Sequence, residues 1–235
     1  GVVLGGAIDE CKKLAEKLDA PVCNGYQHND SFPGSHPLAV GPLGYNGSKA
    51  AMELISKADV VLALGTRLNP FSTLPGYGID YWPKKATIIQ VDMNPDRIGL
   101  TKKVSVGICG DAKQVAQQIL DKLSSDAGNT GREERKNLIH KTKSAWLQTL
   151  SGLDHEEDDP GTVWNKEARE RDKDRMSPRQ AWRAIQDALP QDAIISSDIG
   201  NNCAIGNAYP TFEKPRKYLA PGLFGPCGYG FPAIL

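Results

Sequence analysis

The 235-residue chain has no apolar run long enough to cross a bilayer, so no transmembrane helix is expected in it. Nor does it carry an excess of either charge. Its 28 basic and 28 acidic side chains cancel, which argues against nucleic acid or an anionic membrane as the main partner. The cysteines, Cys11, Cys23, Cys109, Cys203 and Cys227, are odd in number, scattered and without CxxC spacing. Neither a disulfide framework nor a zinc site is indicated, and a reducing cytoplasm is the expected compartment. Histidines are few, and there is no His-Glu-x-x-His pair or Gly-x-Ser-x-Gly elbow, which disfavours a self-contained hydrolase. The opening Gly1-Val-Val-Leu-Gly-Gly-Ala7 is too short for a signal peptide and has no basic region before it.

What is present is regular. From Gly1 to about Leu123, short apolar strands alternate with amphipathic helices, the pattern of a parallel sheet covered on both faces. Strands are expected at Val2–Leu4, from Pro21-Val22, at Val60–Leu64 (buried), Thr87–Val91 and Val104–Cys109. Helices are expected from Asp9, from Lys49 behind the N-cap Ser48, and after Asp111, each with an apolar stripe. Residues 124–175 shift to charged composition and read as a linker, with a helix at Lys136–Leu150 anchored by Leu138, Trp146 and Leu150. The run Asp154-His-Glu-Glu-Asp-Asp159 reads as a solvated face, since ligand spacing of the EF-hand kind is absent. A second α/β unit starts at Met176, where Ser177-Pro-Arg-Gln180 combines an N-cap, a first-turn proline and a capping-box glutamine. The strand Ala193–Ser197 then delivers Asp198-Ile-Gly-Asn-Asn202 to its carboxyl end, the edge at which open parallel sheets bind ligands.

Three groups of residues carry candidate chemistry. Gly65-Thr-Arg67, the glycines of Gly41-Pro-Leu-Gly-Tyr-Asn-Gly47 and Asp92 are placed at strand or helix ends where they converge on a crevice that suits a nucleotide. The alternative is that these glycines only make turns and Arg67 pairs with Asp92 or Asp96. The long polar loop Asn24–His36 holds two of the four histidines, and His28 with Asp30 is either an acid/base pair or a surface feature. The third group is Asp198-Ile-Gly-Asn-Asn202 with Gly225-Pro-Cys-Gly-Tyr-Gly-Phe-Pro232, about one helix and one strand apart and so expected at the same sheet edge. Cys227 has no histidine nearby in sequence, and its apolar neighbours would raise its pKa, so a covalent nucleophile is disfavoured. The chain closes on Phe231-Pro-Ala-Ile-Leu235 as if entering a buried helix, which reads as a fragment.

On these residues the chain resembles the thiamine-diphosphate enzymes of the acetolactate synthase and pyruvate oxidase superfamily. His36–Ser48, Ala58–Arg67 and Gln90–Pro95 follow the order and spacing of that superfamily's central domain. Residues from Met176 resemble the opening of its diphosphate-binding domain. Within the superfamily, Asn24–His36 and Leu68–Trp82 are similar to the sulfoacetaldehyde acetyltransferases. The resemblance implies a Rossmann-like central domain at 1–123, a charged linker at 124–175 and a truncated second α/β domain at 176–235. It implies conversion of sulfoacetaldehyde and phosphate to acetyl phosphate and sulfite through acetyl-thiamine diphosphate, as in taurine and sulfonate breakdown. Gly200, Asn201 and Asn202 match the loop beside the cofactor diphosphate. Gly225 matches the residue whose carbonyl meets the aminopyrimidine, Cys227 matches the wedge between the two cofactor rings, and Gly228 belongs to the same loop. Most relatives place Met, Leu or Ile at the wedge.

The activating glutamate and the Gly-Asp-Gly motif for Mg2+ have no match in these residues, so the fragment alone is expected to be inactive, with no catalytic or metal residue of its own. Gly65, Arg67 and Asp92 match positions that hold FAD or ADP in some relatives. The resemblance further implies a homodimer or homotetramer. Two other readings compete: another thiamine-diphosphate lyase, such as an acetolactate synthase or 2-oxo acid decarboxylase, and a noncatalytic nucleotide-binding module.

Overall fold

The computed structural model describes residues 1–152, 174–222 and 224–235, so the acidic run at 154–159 lies outside the described residues. Helix α1 (Ile8–Leu18) is followed by strand β1 (Val22–Asn24), strand β2 (Ala39–Pro42), helix α2 (Lys49–Ile55), strand β3 (Val60–Leu64) and the short helix α3 (Pro70–Thr73). Next come β4 (Thr87–Asp92), β5 (Val106–Cys109), α4 (Ala112–Lys122) and α5 (Arg132–Gly152). The remaining elements are α6 (Pro178–Ala188), β6 (Ile195–Ser196), α7 (Asn201–Gly206) and β7 (Tyr218–Leu219). Strands pair in parallel as β1-β2, β3-β4-β5 and β6-β7. The fold is α/β with parallel strands and flanking helices, as expected.

The helix ends form where local chemistry directs them. Ser48 Oγ accepts the Ala51 N–H, and Asp111 Oδ1 accepts the N–H groups of Lys113 and Gln114. Ser177 and Gln180 close a complete capping box, so orphan donors of three helices are satisfied within four residues of sequence.

The observed elements differ from the expected ones as follows. Val2–Leu4 is a turn rather than a strand, because its backbone closes on itself: Gly5 N–H donates to Gly1 O, and Ala7 N–H to Val2 O. The carbonyls of Val2 and Val3 are taken up by these turns instead of a ladder. Strand β3 is not buried throughout, with Val60 57% exposed at its start, and Val106 of β5 is 45% exposed. Ala39–Pro42, for which no strand is expected above, is strand β2. At the end of the chain, Pro232–Ile234 make a single 3-10 turn, and Phe231, Ile234 and Leu235 are exposed.

The charged segment after Leu123 contributes to the core. Helix α5 turns Ile139, Trp146 and Leu150 inward. Ile139 joins Phe32, Leu38, Met52, Leu54 and Tyr81 in the larger apolar cluster, and Trp146 and Leu150 join Ala50, Trp182 and Tyr209 in a second. That second cluster ties α2 to α6 through α5. Arg135 bonds the carbonyls of Leu18 and Asp19 at the end of α1, anchoring the N-terminal end of α5.

Candidate cofactor site

Strands β6 and β7 are short, but their parallel register, Ile195 opposite Tyr218 and Ser196 opposite Leu219, sends the following loops to one edge. The first loop is 197–202 and the second 220–230. Asp198 stands where they meet. Its carboxylate accepts the N–H of Ile199 at 2.8 Å, of Gly228 at 3.0 Å and of Gly230 at 3.1 Å. These bonds, led by those from Gly230 and Ile199, hold its pKa below the ordinary carboxylate value.

The first loop is braced from behind. Asn202 Nδ2 donates to the Asp198 carbonyl at 3.3 Å, Trp182 Nε1 of α6 donates to the Asn202 carbonyl at 2.9 Å, and Cys203 Sγ lies 3.2 Å from Gly200 O. Gly200 has φ 112° and ψ −162°, a region open only to glycine. Asn201 and Asn202 are exposed at the start of α7. In the second loop, Gly225 donates to Pro221 O at 3.0 Å, and Gly228, at φ 88°, has open space where a side chain would start. Cys227 is exposed between them, rather than enclosed by the apolar residues that adjoin it in sequence. The structure therefore brings Gly200, Asn201, Asn202, Gly225, Cys227 and Gly228 to one sheet edge.

These residues fit a cofactor approached from outside. The tips of both loops are exposed, and at Gly228, whose N–H is held by Asp198, no side chain stands in front of the backbone. They fit it as one wall. Among the described residues, no group of three or more His, Cys, Asp or Glu side chains is placed to hold a metal ion.

The other candidates part company. Gly65 and Asp92 share a strand end, since Gly65 N–H donates to Val91 O, but Gly65 is packed against Gly1 and the Asp92 carboxylate takes the Asn94 N–H at 2.9 Å. Arg67 instead lines a cavity of about 420 Å³ with Asn69, Pro70, Phe71, Leu100 and Thr101. The glycines of the 41–47 loop press on protein: a Cβ at Gly44, whose φ is 91°, would lie 2.0 Å from Phe71 O, and one at Gly47 would lie 2.4 Å from Pro42 O. That contact is the turn-making alternative. Asp30 is buried with its carboxylate turned to the N–H groups of Lys217 and Tyr218, at 3.0 and 3.4 Å. It fastens β7 to the 24–36 loop.

Two connections lie beyond the motifs above. Asp198 belongs to the strand-end motif 198–202, and an aspartate just after a strand is well placed to gather loop amides. Asn207, fully buried, takes the Gln27 N–H on Oδ1 at 3.0 Å and donates through Nδ2 to Leu43 O and Tyr45 O at 3.4 and 3.3 Å. It joins the segment after α7 to both loops of the N-terminal part.

Among curated proteins, the chain is 79% identical over 235 residues to a protein of Rhizobium meliloti described as a probable sulfoacetaldehyde acetyltransferase, covering all of this chain and 40% of that one. It is 76% identical over 235 residues to the sulfoacetaldehyde acetyltransferase of Roseovarius nubinhibens, covering all of this chain and 39% of the relative. Against a probable acetolactate synthase large subunit of Methanocaldococcus jannaschii the identity falls to 30% over 241 aligned positions, again covering the whole chain but 37% of the relative. The chain thus spans about 40% of the length of the first relatives it matches. Residues 1–119, half of the chain, match the profile of the family described as thiamine pyrophosphate enzyme, central domain, and the chain belongs to that family.

Proposed function

We propose that the complete protein is a sulfoacetaldehyde acetyltransferase, converting sulfoacetaldehyde and phosphate to acetyl phosphate and sulfite. The observation that carries the reading is the fall in identity from 79% and 76% with proteins of that name to 30% with an acetolactate synthase, across the whole chain each time. The loop pair at the β6-β7 edge supports it. Thiamine diphosphate, when bound, would supply a nucleophilic carbon for the aldehyde carbonyl and a sink for the electron pair of the aldehyde C–H bond, while the pair of the broken C–S bond leaves with sulfite. The chain's part is to hold and orient it. In this reading the Gly225 carbonyl accepts from the aminopyrimidine and Cys227 stands between the two rings. Gly228 lets backbone approach, and Gly200, Asn201 and Asn202 flank the diphosphate.

Residues 1–123 serve as central domain, 124–175 as connection and 176–235 as the opening of the diphosphate-binding domain. A divalent cation, Mg2+, belongs to the same reading. So do cytoplasmic location and assembly into a homodimer or homotetramer. Phe224 in the second loop and Phe231 just after it are 88% and 74% accessible, apolar surface that the rest of the complete protein or another subunit would cover.

The deciding experiment gives the purified complete protein sulfoacetaldehyde with phosphate, or pyruvate, in the presence of thiamine diphosphate and Mg2+. Sulfite and acetyl phosphate are expected from the first. Carbon dioxide from pyruvate without sulfite from sulfoacetaldehyde would replace the reading with a 2-oxo acid lyase.

A further inference from the structure

We propose that Asp198 is a positioning residue of this site, one carboxylate that sets the spacing and orientation of both cofactor loops. The cofactor in this statement rests on the reading above; the geometry of the clamp does not.

The second loop has irregular backbone, so its N–H groups need acceptors outside a ladder. Asp198 supplies them. Both of its oxygens lie 3.0 Å from Gly228 N, one of them also lies 3.1 Å from Gly230 N, and the other takes the Ile199 N–H at 2.8 Å. Hydrogen bonds to an ionised acceptor are stronger than neutral ones and hold geometry more tightly. The same residue's carbonyl accepts Asn202 Nδ2 at 3.3 Å, so one residue bonds within the first loop through both its carbonyl and its carboxylate and reaches the second loop through the carboxylate.

An independent feature points the same way. A Cβ at Gly230 would lie 3.0 Å from Asp198 N and 3.2 Å from Asp198 Cβ, so glycine at this position lets the second loop seat directly on Asp198. Gly225 seats on the neighbouring residue, where a Cβ would lie 3.3 Å from Ile199 Cγ1. Between these two seats stand Cys227 and Gly228. Where they stand therefore follows from where Asp198 holds the strand of backbone beneath them, and Asp198 itself acts on the cofactor only through them. The lowered pKa of the carboxylate agrees with this use, since the ionised form is the one its donors favour.

The test compares wild type with Asp198→Asn and Gly230→Ala in the complete protein. Asparagine keeps the size but offers one acceptor oxygen in place of two, and the alanine lifts the loop without touching the carboxylate. Hydrogen exchange of the 225–232 segment, measured without cofactor, is expected to accelerate about tenfold or more in Asp198→Asn, with the dissociation constant for thiamine diphosphate rising about tenfold. With cofactor saturating, kcat should fall while KM for the aldehyde changes little, and Gly230→Ala should reproduce the pattern. A mere loss of folded protein would instead lower the melting temperature and leave the affinity of the folded fraction for thiamine diphosphate unchanged.

Unaltered exchange and affinity in Asp198→Asn would overturn the proposal; if that variant does not fold, wild-type affinity in Gly230→Ala would overturn it. Wild-type protein that binds thiamine diphosphate but forms no acetyl phosphate would remove the substrate assignment and leave the clamp to be judged on exchange and affinity. Wild-type protein that binds no thiamine diphosphate would overturn both.

Discussion

Replacing Asn207 with alanine tests the junction between the N-terminal part of the chain and the segment that carries the cofactor loops. Asn207 is fully buried, and its side chain makes one well-formed bond, from Gln27 N–H at 3.0 Å, and two long ones, to Tyr45 O and Leu43 O at 3.3 and 3.4 Å. In Asn207→Ala the Gln27 N–H is left buried without its acceptor, at about 1–3 kcal/mol. The two carbonyls, each with a second lone pair and a weak bond to lose, add roughly 1 kcal/mol together. Gln27 has φ 57°, a costly conformation for a residue other than glycine, and loses one of the contacts that hold it there. The sum is about 2–4 kcal/mol, which for a chain of this size lowers the melting temperature by about 5–15 °C.

The assay is thermal unfolding of the 235-residue chain followed by circular dichroism, with Asn207→Asp as the companion variant. Aspartate keeps an acceptor for Gln27 but turns a second oxygen towards two carbonyls, so it should be at least as destabilising as alanine. A melting temperature within about 1 °C of wild type for Asn207→Ala would refute the reasoning, since a satisfied buried polar hub cannot be removed without cost.

Two further outcomes follow from the same structure. Ser177→Ala removes the acceptor of the Gln180 N–H and opens the capping box. It should cost about 1 kcal/mol, with Ser177→Gly closer to wild type, by urea unfolding. Burial raises the Cys23 thiol to about 12 and the Cys11 thiol to about 11, whereas Cys109 and Cys227 are exposed. Iodoacetamide at pH 8 should therefore label Cys109 and Cys227 first, and labelling of Cys11 in the folded protein should increase as pH rises towards 11. Early modification of Cys23, read by mass spectrometry of tryptic peptides, would show that α2 does not cover it.

Much of the fold was legible because it is written locally. Ser48, Asp111 and Ser177 mark helix starts by side chains that satisfy amides two or three residues ahead, a relation sequence spacing expresses directly. The apolar stripe of α4 and the β-branched runs of β3 and β4 belong to the same kind. Strand β2 escaped notice because Ala39-Val-Gly-Pro42 has two residues of poor strand propensity, and its pairing with β1 is decided by register with Val22–Asn24. Val2–Leu4 failed in the opposite sense, strand-like in composition and closed into a turn by its own backbone bonds.

The amino-acid sequence by itself determined the α/β class, most helix starts, and the placement of 198–202 and 225–230 at one sheet edge, because periodicity, caps and strand order are short-range properties. It also carried the resemblance to thiamine-diphosphate enzymes. Only the tertiary structure decided that Gly44 and Gly47 are pressed on protein, that Arg67 parts from Gly65 and Asp92, and that α5 belongs to the core. The same holds for Asp198 gathering the amides of Gly228 and Gly230 and for Asn207 bridging to Gln27, Leu43 and Tyr45. Each of these depends on which groups lie within about 3 Å of one another across long stretches of chain, and hydrogen bonding and close contact act at that distance whatever the separation in sequence.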